Sequence, residues 1–290
     1  MSARALDPDF ARQFPRAPSA EAWAAMSQSE RVRCVEQLPA WMTEAELLPP
    51  EGDPHREAKS SAHEALRRFF DHMKRRAYIG VDLTVYYPDE RRFSPDVFVV
   101  FDVDPKSRSK WVVSAEGKGL DFVLEILVSG DRKKDLEHNV KFYASLGIPE
   151  YFVYDRSRQR LLGYRLASAE RREYSTIVPQ AGRFISTVLG LDLNIESDRL
   201  RFHAGNAPLL DSAELLVRLE QVAEQAARRA EDEARHAEDE ARRAEDEARR
   251  AEDEARRAEG EARRAEGEAQ RADALARRVA ELEAELRRRS

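Results

Sequence analysis

Cysteine is almost missing from this chain. Cys34 stands alone among 290 residues, which excludes an internal disulfide framework and points to a reducing compartment. Long apolar runs are missing as well. Nothing approaches the ~18 consecutive apolar residues that a membrane-crossing helix requires. The segment MSARALDPDF (1–10) lacks the apolar centre of a secretory leader, so the expectation is a cytoplasmic protein with no membrane partner. Aromatics are sparse at 8%, and 36% charged residues against 42% hydrophobic is too polar for one compact globule. Positive charge is not in excess anywhere in bulk: residues 211–290 hold 24 Asp and Glu against 18 Lys and Arg, and residues 1–210 hold 31 of each sign. Nucleic-acid binding would then rest on a local basic patch.

What is present divides into a helical lead-in at 1–47, a mixed α/β segment at 48–208 and a charged helix at 209–290. In the lead-in, SAEAWAAMSQSERVRCVEQLP reads as one or two short helices, capped at Ser19 and at Ser27 or Ser29 and stopped by Pro39. A helix over 56–76 carries Ala58, Ala62, Leu66, Phe69 and Met73 at steps of three and four. Strands are expected at 77–87 and 95–103, with a third candidate at 110–115 and a central, doubly covered one at 120–128. A helix over 131–146 presents Leu136, Val140 and Tyr143 and ends at Gly147 and Pro149. Strands at 150–155 and 160–166 follow, then weaker signals near 173–178, 184–189 and 198–203. Strand, helix and strand around 120–155, with antiparallel additions, give an α/β or α+β fold.

Beyond Pro208 the composition changes. Asp211 and Glu214 form a capping box, and then a seven-residue unit, AEDEARR and close variants, repeats from 230. Alanine recurs at alternating steps of four and three, the seam of a coiled coil, though alanine buries little area. Glu231 and Arg235, with their counterparts, supply i,i+4 pairs worth about 0.2–0.5 kcal/mol each. Larger residues take over at the ends: Leu215, Leu219 and Val222, then Leu275, Val279, Leu282 and Leu286, the last set offset by three from the alanine register. A homodimer through residues 211–290 is expected, set against an isolated charged helix or a different partner.

Two acids stand in strand contexts that would bury them, Asp96 at the head of DVFVV and Glu125 inside VLEIL. A buried carboxylate is costly unless protonated, paired or metal-bound. Taken singly, Asp96 reads as a turn or cap residue and Glu125 as an edge-strand or salt-bridge residue. Together they offer oxygen ligands to Mg²⁺ or Mn²⁺, hard cations that keep several waters. Arg132, Lys133 and Lys134 follow in a first helical turn, where positive charge opposes the macrodipole unless an anion is near; solvated lysines are the plainer reading.

The segments SPDVFVV (94–100) and FVLEILVSGDRKKDLEHNVKFYASLGIPEYFVYD (122–155) resemble the Uma-two family of restriction-endonuclease-like proteins, a branch of the PD-(D/E)XK nuclease superfamily. The likeness spans about residues 48–205, with GIPEYFVYD its most specific part. It implies a nuclease-like mixed sheet flanked by helices, Asp96 and Glu125 as Mg²⁺ ligands in phosphodiester hydrolysis, and Lys133 and Lys134 as catalytic cations. It further marks His55, Asp82 and Asn139. Three departures stand out. Leu127 occupies the superfamily's strand lysine position, Asn139 occupies the place four residues before Tyr143 where the family offers a lysine, and the literal Glu116-Gly117-Lys118 falls in a Gly-rich bend. Two functions follow as expectations: a Mg²⁺-dependent DNA endonuclease dimerised by its C-terminal helix, or a catalytically weak nuclease fold kept as a binding and assembly module.

Overall fold

The computed structural model describes residues 15–43, 46, 52–128 and 134–289. Two compact units emerge, Met1–Leu215 and Leu216–Ser290.

In the first unit, α1 (Ala20–Ala25) and α2 (Gln28–Gln37) start where their serines cap them. Ser19 accepts from the Ala22 N–H, and Ser27 with Glu30 closes a capping box. The next helix, α3 (Asp53–His72), begins three residues earlier than its apolar spacing suggests, because Gly52 turns the chain at φ +80° and Pro54 suits a first turn. It also ends earlier, with Lys74 at φ +53°, so Met73 is exposed and the buried stripe is Ala62, Ala65, Leu66 and Phe70.

A six-stranded sheet runs in the order β1 (Ala77–Val81), β3 (Val97–Phe101), β5 (Phe122–Leu127), β6 (Glu150–Asp155), β7 (Arg160–Leu166), β8 (Tyr174–Thr176). Only β5 and β6 pair in parallel. That parallel pair needs a crossover, and α5 (Asn139–Ser145), entered through a π-helical turn at Lys134–His138, provides its described part. Alternation sorts the strands cleanly. Val97, Val99, Phe101, Phe122, Leu124, Ile126, Phe152 and Tyr154 pack under α3, while Phe98, Val100, Val123, Leu127, Tyr151 and Val153 pack with Tyr143 on the other face.

The strand expected over 77–87 is broken. Asp82 sits at φ +50°, which ends β1, and the chain resumes as β2 (Val85–Tyr86). The candidate at 110–115 is likewise corrected: β4 (Trp111–Val112) pairs with β2 in a separate parallel ribbon, and Val113–Glu116 (α4) is a helical turn closed by Gly117 at φ +72°. A second antiparallel sheet has the order β12 (Ala207–Pro208), β11 (Arg199–Ala204), β10 (Leu191–Glu196), β9 (Phe184–Ser186). Its apolar residues Leu191, Leu193 and Phe202 join the core beneath α3. β10 and β12 are additional to the expected strands.

The long helix α6 spans Ser212–Arg289. Asp211 and Glu214 cap it reciprocally, the Glu214 N–H donating to Asp211 Oδ1 at 2.9 Å and the Asp211 N–H to Glu214 Oε2 at 3.0 Å. Within the repeats, Arg235 and Arg242 pair with Asp232 and Asp239 at i,i+3, while Arg263 meets Glu259 at the expected i,i+4 spacing, 4.0 Å apart. Among the described residues no helix is long and apolar enough to cross a membrane.

Candidate active site

The register of the main sheet brings its acids into one row. Val81 faces Val97 and Val97 faces Leu124, so one residue further along, Asp82 and Asp96, just beyond the paired ends of β1 and β3, lie level with Glu125 inside β5. Asp96 and Glu125 hold each other through backbone. The Asp96 N–H donates to Glu125 Oε2 at 3.3 Å, and the Ile126 N–H donates to Asp96 Oδ2 at 2.7 Å. Two carboxylates fixed this way stand as cross-strand neighbours at the same level of the sheet.

Each acid is oriented from a different helix. Tyr143 of α5 donates its hydroxyl to Glu125 Oε1 at 2.6 Å, with its ring packed edge-on against Tyr151. Glu125 is only 6% exposed, so bulk water does not supply its hydrogen bonds. From α3, His55 places Nε2 at 3.0 Å from Asp96 Oδ2. Where that carboxylate is ionised it only accepts, and the His55 nitrogen is then the donor. One helical turn later Lys59 puts its ammonium 2.7 and 2.9 Å from the two Asp82 oxygens and 3.7 Å from Asp96 Oδ1.

The residues marked by the sequence therefore separate. Asp96, Glu125 and His55 converge. Asp82 joins them through Lys59, but its side chain is 57% exposed. Asn139 is buried at the start of α5, one turn before Tyr143 and on the same helical face. Lys133 lies outside the described residues, as does the side chain of Lys134. Leu127 is a core residue. Glu116 and Lys118 belong elsewhere: Glu116 pairs with Arg108 at 2.8 Å, and Lys118 donates to the Phe101 carbonyl at 2.6 Å and pairs with Asp121 at 3.1 Å.

Sequence reasoning does not single out Lys59, nor the hydroxyl of Tyr143. The signal for Lys59 is the i,i+4 spacing from His55, which sets both on one face of α3. Tyr143 falls in the apolar stripe of its helix, which its ring occupies; the polar end is what reaches Glu125.

Chemically, the centre offers two adjacent carboxylates and no sulfur, a donor set suited to a hard divalent cation. Among the described residues no three His, Cys, Asp or Glu side chains form a ready metal cage. On the first turns of α3, Arg156 donates to the Pro54 carbonyl and lies 3.7 Å from Glu57, while Arg56 pairs with Asp53 at 2.6 Å. Glu150 is a contrast: it is fully buried, yet Arg165, Ser186 and Thr187 all bond to it, so it locks the two sheets together.

A family model named Uma2, described as "Putative restriction endonuclease", matches residues 42–197. Among solved structures, a putative nuclease belonging to DUF820 from Anabaena variabilis matches at 15% identity and a TM-score of 0.40, covering 55% of this chain and 90% of its own. Among curated proteins nothing matches.

Proposed function

This chain belongs to the Uma2 family of putative restriction endonucleases, and from that membership we propose that it is a metal-dependent endonuclease cutting DNA phosphodiester bonds at Asp96 and Glu125. One observation carries the reading: the crossed backbone hydrogen bonds that make these two carboxylates neighbours across β3 and β5. Asp96 and Glu125 would hold Mg²⁺ or Mn²⁺. When bound, such an ion polarises a phosphate oxygen, lowers the pKa of water and balances developing charge. The chain's own groups do the rest. Tyr143 fixes the rotamer of Glu125, His55 fixes that of Asp96, and the strand amides of Asp96 and Ile126 donate to both acids. A homodimer through residues 211–290 would present two such centres to the two strands of a duplex.

A second reading keeps the same fold as a catalytically weak binding and assembly module. It is favoured by Asn139 and Leu127, the non-basic residues at the two places where the resemblance puts a lysine.

Plasmid nicking by the full chain separates the two. The wild type is expected to open supercoiled plasmid in Mg²⁺ or Mn²⁺ and not in EDTA. Asp96→Asn and Glu125→Gln should each lower that rate by about 10²-fold or more, the usual cost of removing one group that stabilises a transition state. A wild type inert with both ions leaves only the second reading.

A further inference from the structure

The phosphodiester and the two acids bring three negative charges together, and Asp82 adds a fourth. A single divalent ion leaves that assembly net negative. Among the described residues, the ammonium that meets this charge is on Lys59. Its side chain is only 13% exposed although lysine is seldom this buried, and it spans Asp82 and Asp96. The Asp82 pair alone does not account for such placement. Asp82 is more than half exposed, and a pair of that kind contributes little to stability. Two short bonds to Asp82 instead aim the ammonium past Asp96 Oδ1, which it approaches to 3.7 Å without closing a hydrogen bond.

We infer that Lys59, delivered from α3, is the catalytic cation of this centre and contacts a non-bridging oxygen of the scissile phosphate. This rests on the endonuclease reading above and adds the residue that completes it. In the reaction a water oxygen bonds to phosphorus as the phosphorus bond to the leaving sugar oxygen breaks, the electron pair going with that oxygen. The attacking water gives up one proton to solvent, the leaving oxygen takes one from solvent, and Lys59 takes no part in the proton transfer, its charge meeting the phosphoryl oxygens as they gain negative charge. Asp82 is then a positioning residue, acting only through the lysine. The lysine that the resemblance places on the strand or on α5 has in this chain a counterpart on α3.

The test uses the full chain, a supercoiled plasmid and saturating Mn²⁺, with wild type, Lys59→Met and Lys59→Arg compared. Calorimetric titration with Mn²⁺ on the same proteins reports whether the acids still bind. Lys59→Met should keep Mn²⁺ binding, keep KM for plasmid within about threefold, and lose about 10²-fold in kcat. Lys59→Arg should recover at least about a tenth of the wild-type kcat, since the charge is preserved while its geometry changes. Should Lys59→Met fail to fold by circular dichroism, Lys59→Gln takes its place with the same expectation. Nicking by Lys59→Met at the wild-type rate overturns this inference and leaves the endonuclease reading intact. Lost nicking explained wholly by lost Mn²⁺ binding overturns it as well, since the lysine would then be only a support for Asp96. An inert wild type removes both proposals together.

Discussion

Glu125 is the one acid in a strand of five apolar residues, and its place is kept by donors on two other elements. That anomaly makes it legible from sequence alone: an acid in FVLEIL demands a partner. Asp96 is legible for the same reason. Their partners are not, because Lys59 in an amphipathic helix looks like any solvated lysine and the Tyr143 ring behaves as core. The Tyr143 hydroxyl carries a prediction at this scale. Tyr143→Phe leaves the ring in place but removes a charge-assisted donor from a buried carboxylate, so it should cost about 1–3 kcal/mol in urea unfolding. Unchanged stability would mean that Glu125 is satisfied without it.

At the scale of elements, strands with one dominant environment are legible. β6 and β7 occupy the spans that their apolar runs predict, 150–155 and 160–166. Boundaries set by single dihedrals are not. Asp82 at φ +50° ends β1 early, and that break is what frees the Asp82 side chain to reach Lys59. The alternation Leu191, Leu193, Ile195 marks β10, but its partner strands carry such short signals that the second sheet does not announce itself. At the start of α6, the Arg201 guanidinium, with the Asp211 N–H, holds the Glu214 carboxyl below the usual carboxylate range despite some burial. Close pairing also sets the tolerance of the main sheet. Gly80 faces Phe98 across β1 and β3, and a methyl group at Gly80 would strike the Phe98 ring, itself buried against Trp111. Gly80→Ala should therefore destabilise by about 1–3 kcal/mol, lowering Tm by several degrees in a thermal melt. A melt unchanged within about a degree would show that the ring has room to move.

For the whole molecule, the dimer proposed through the C-terminal helix would set how many centres act together. In its repeats the positions flanking the alanine seam on both sides are glutamates, Glu231 and Glu233 in the first unit. Two copies joined through alanine alone would set acid against acid in either orientation, so adhesion falls to the larger residues. Leu275, Val279 and Leu282 are exposed along α6 and offer that surface. Sedimentation equilibrium at tens of micromolar should give a dimer for the wild type and a monomer for Val279→Glu/Leu282→Glu; a monomeric wild type would dispose of the paired-centre reading. The heptads and the capping box at Asp211 make this helix fully legible, whereas no local pattern states what, if anything, it packs against. The most direct test of the whole account is calorimetric titration of the full chain with Mn²⁺. One ion per chain should bind in the wild type, with binding lost in both Asp96→Asn and Glu125→Gln; no saturable binding, or binding that survives either substitution, would contradict it.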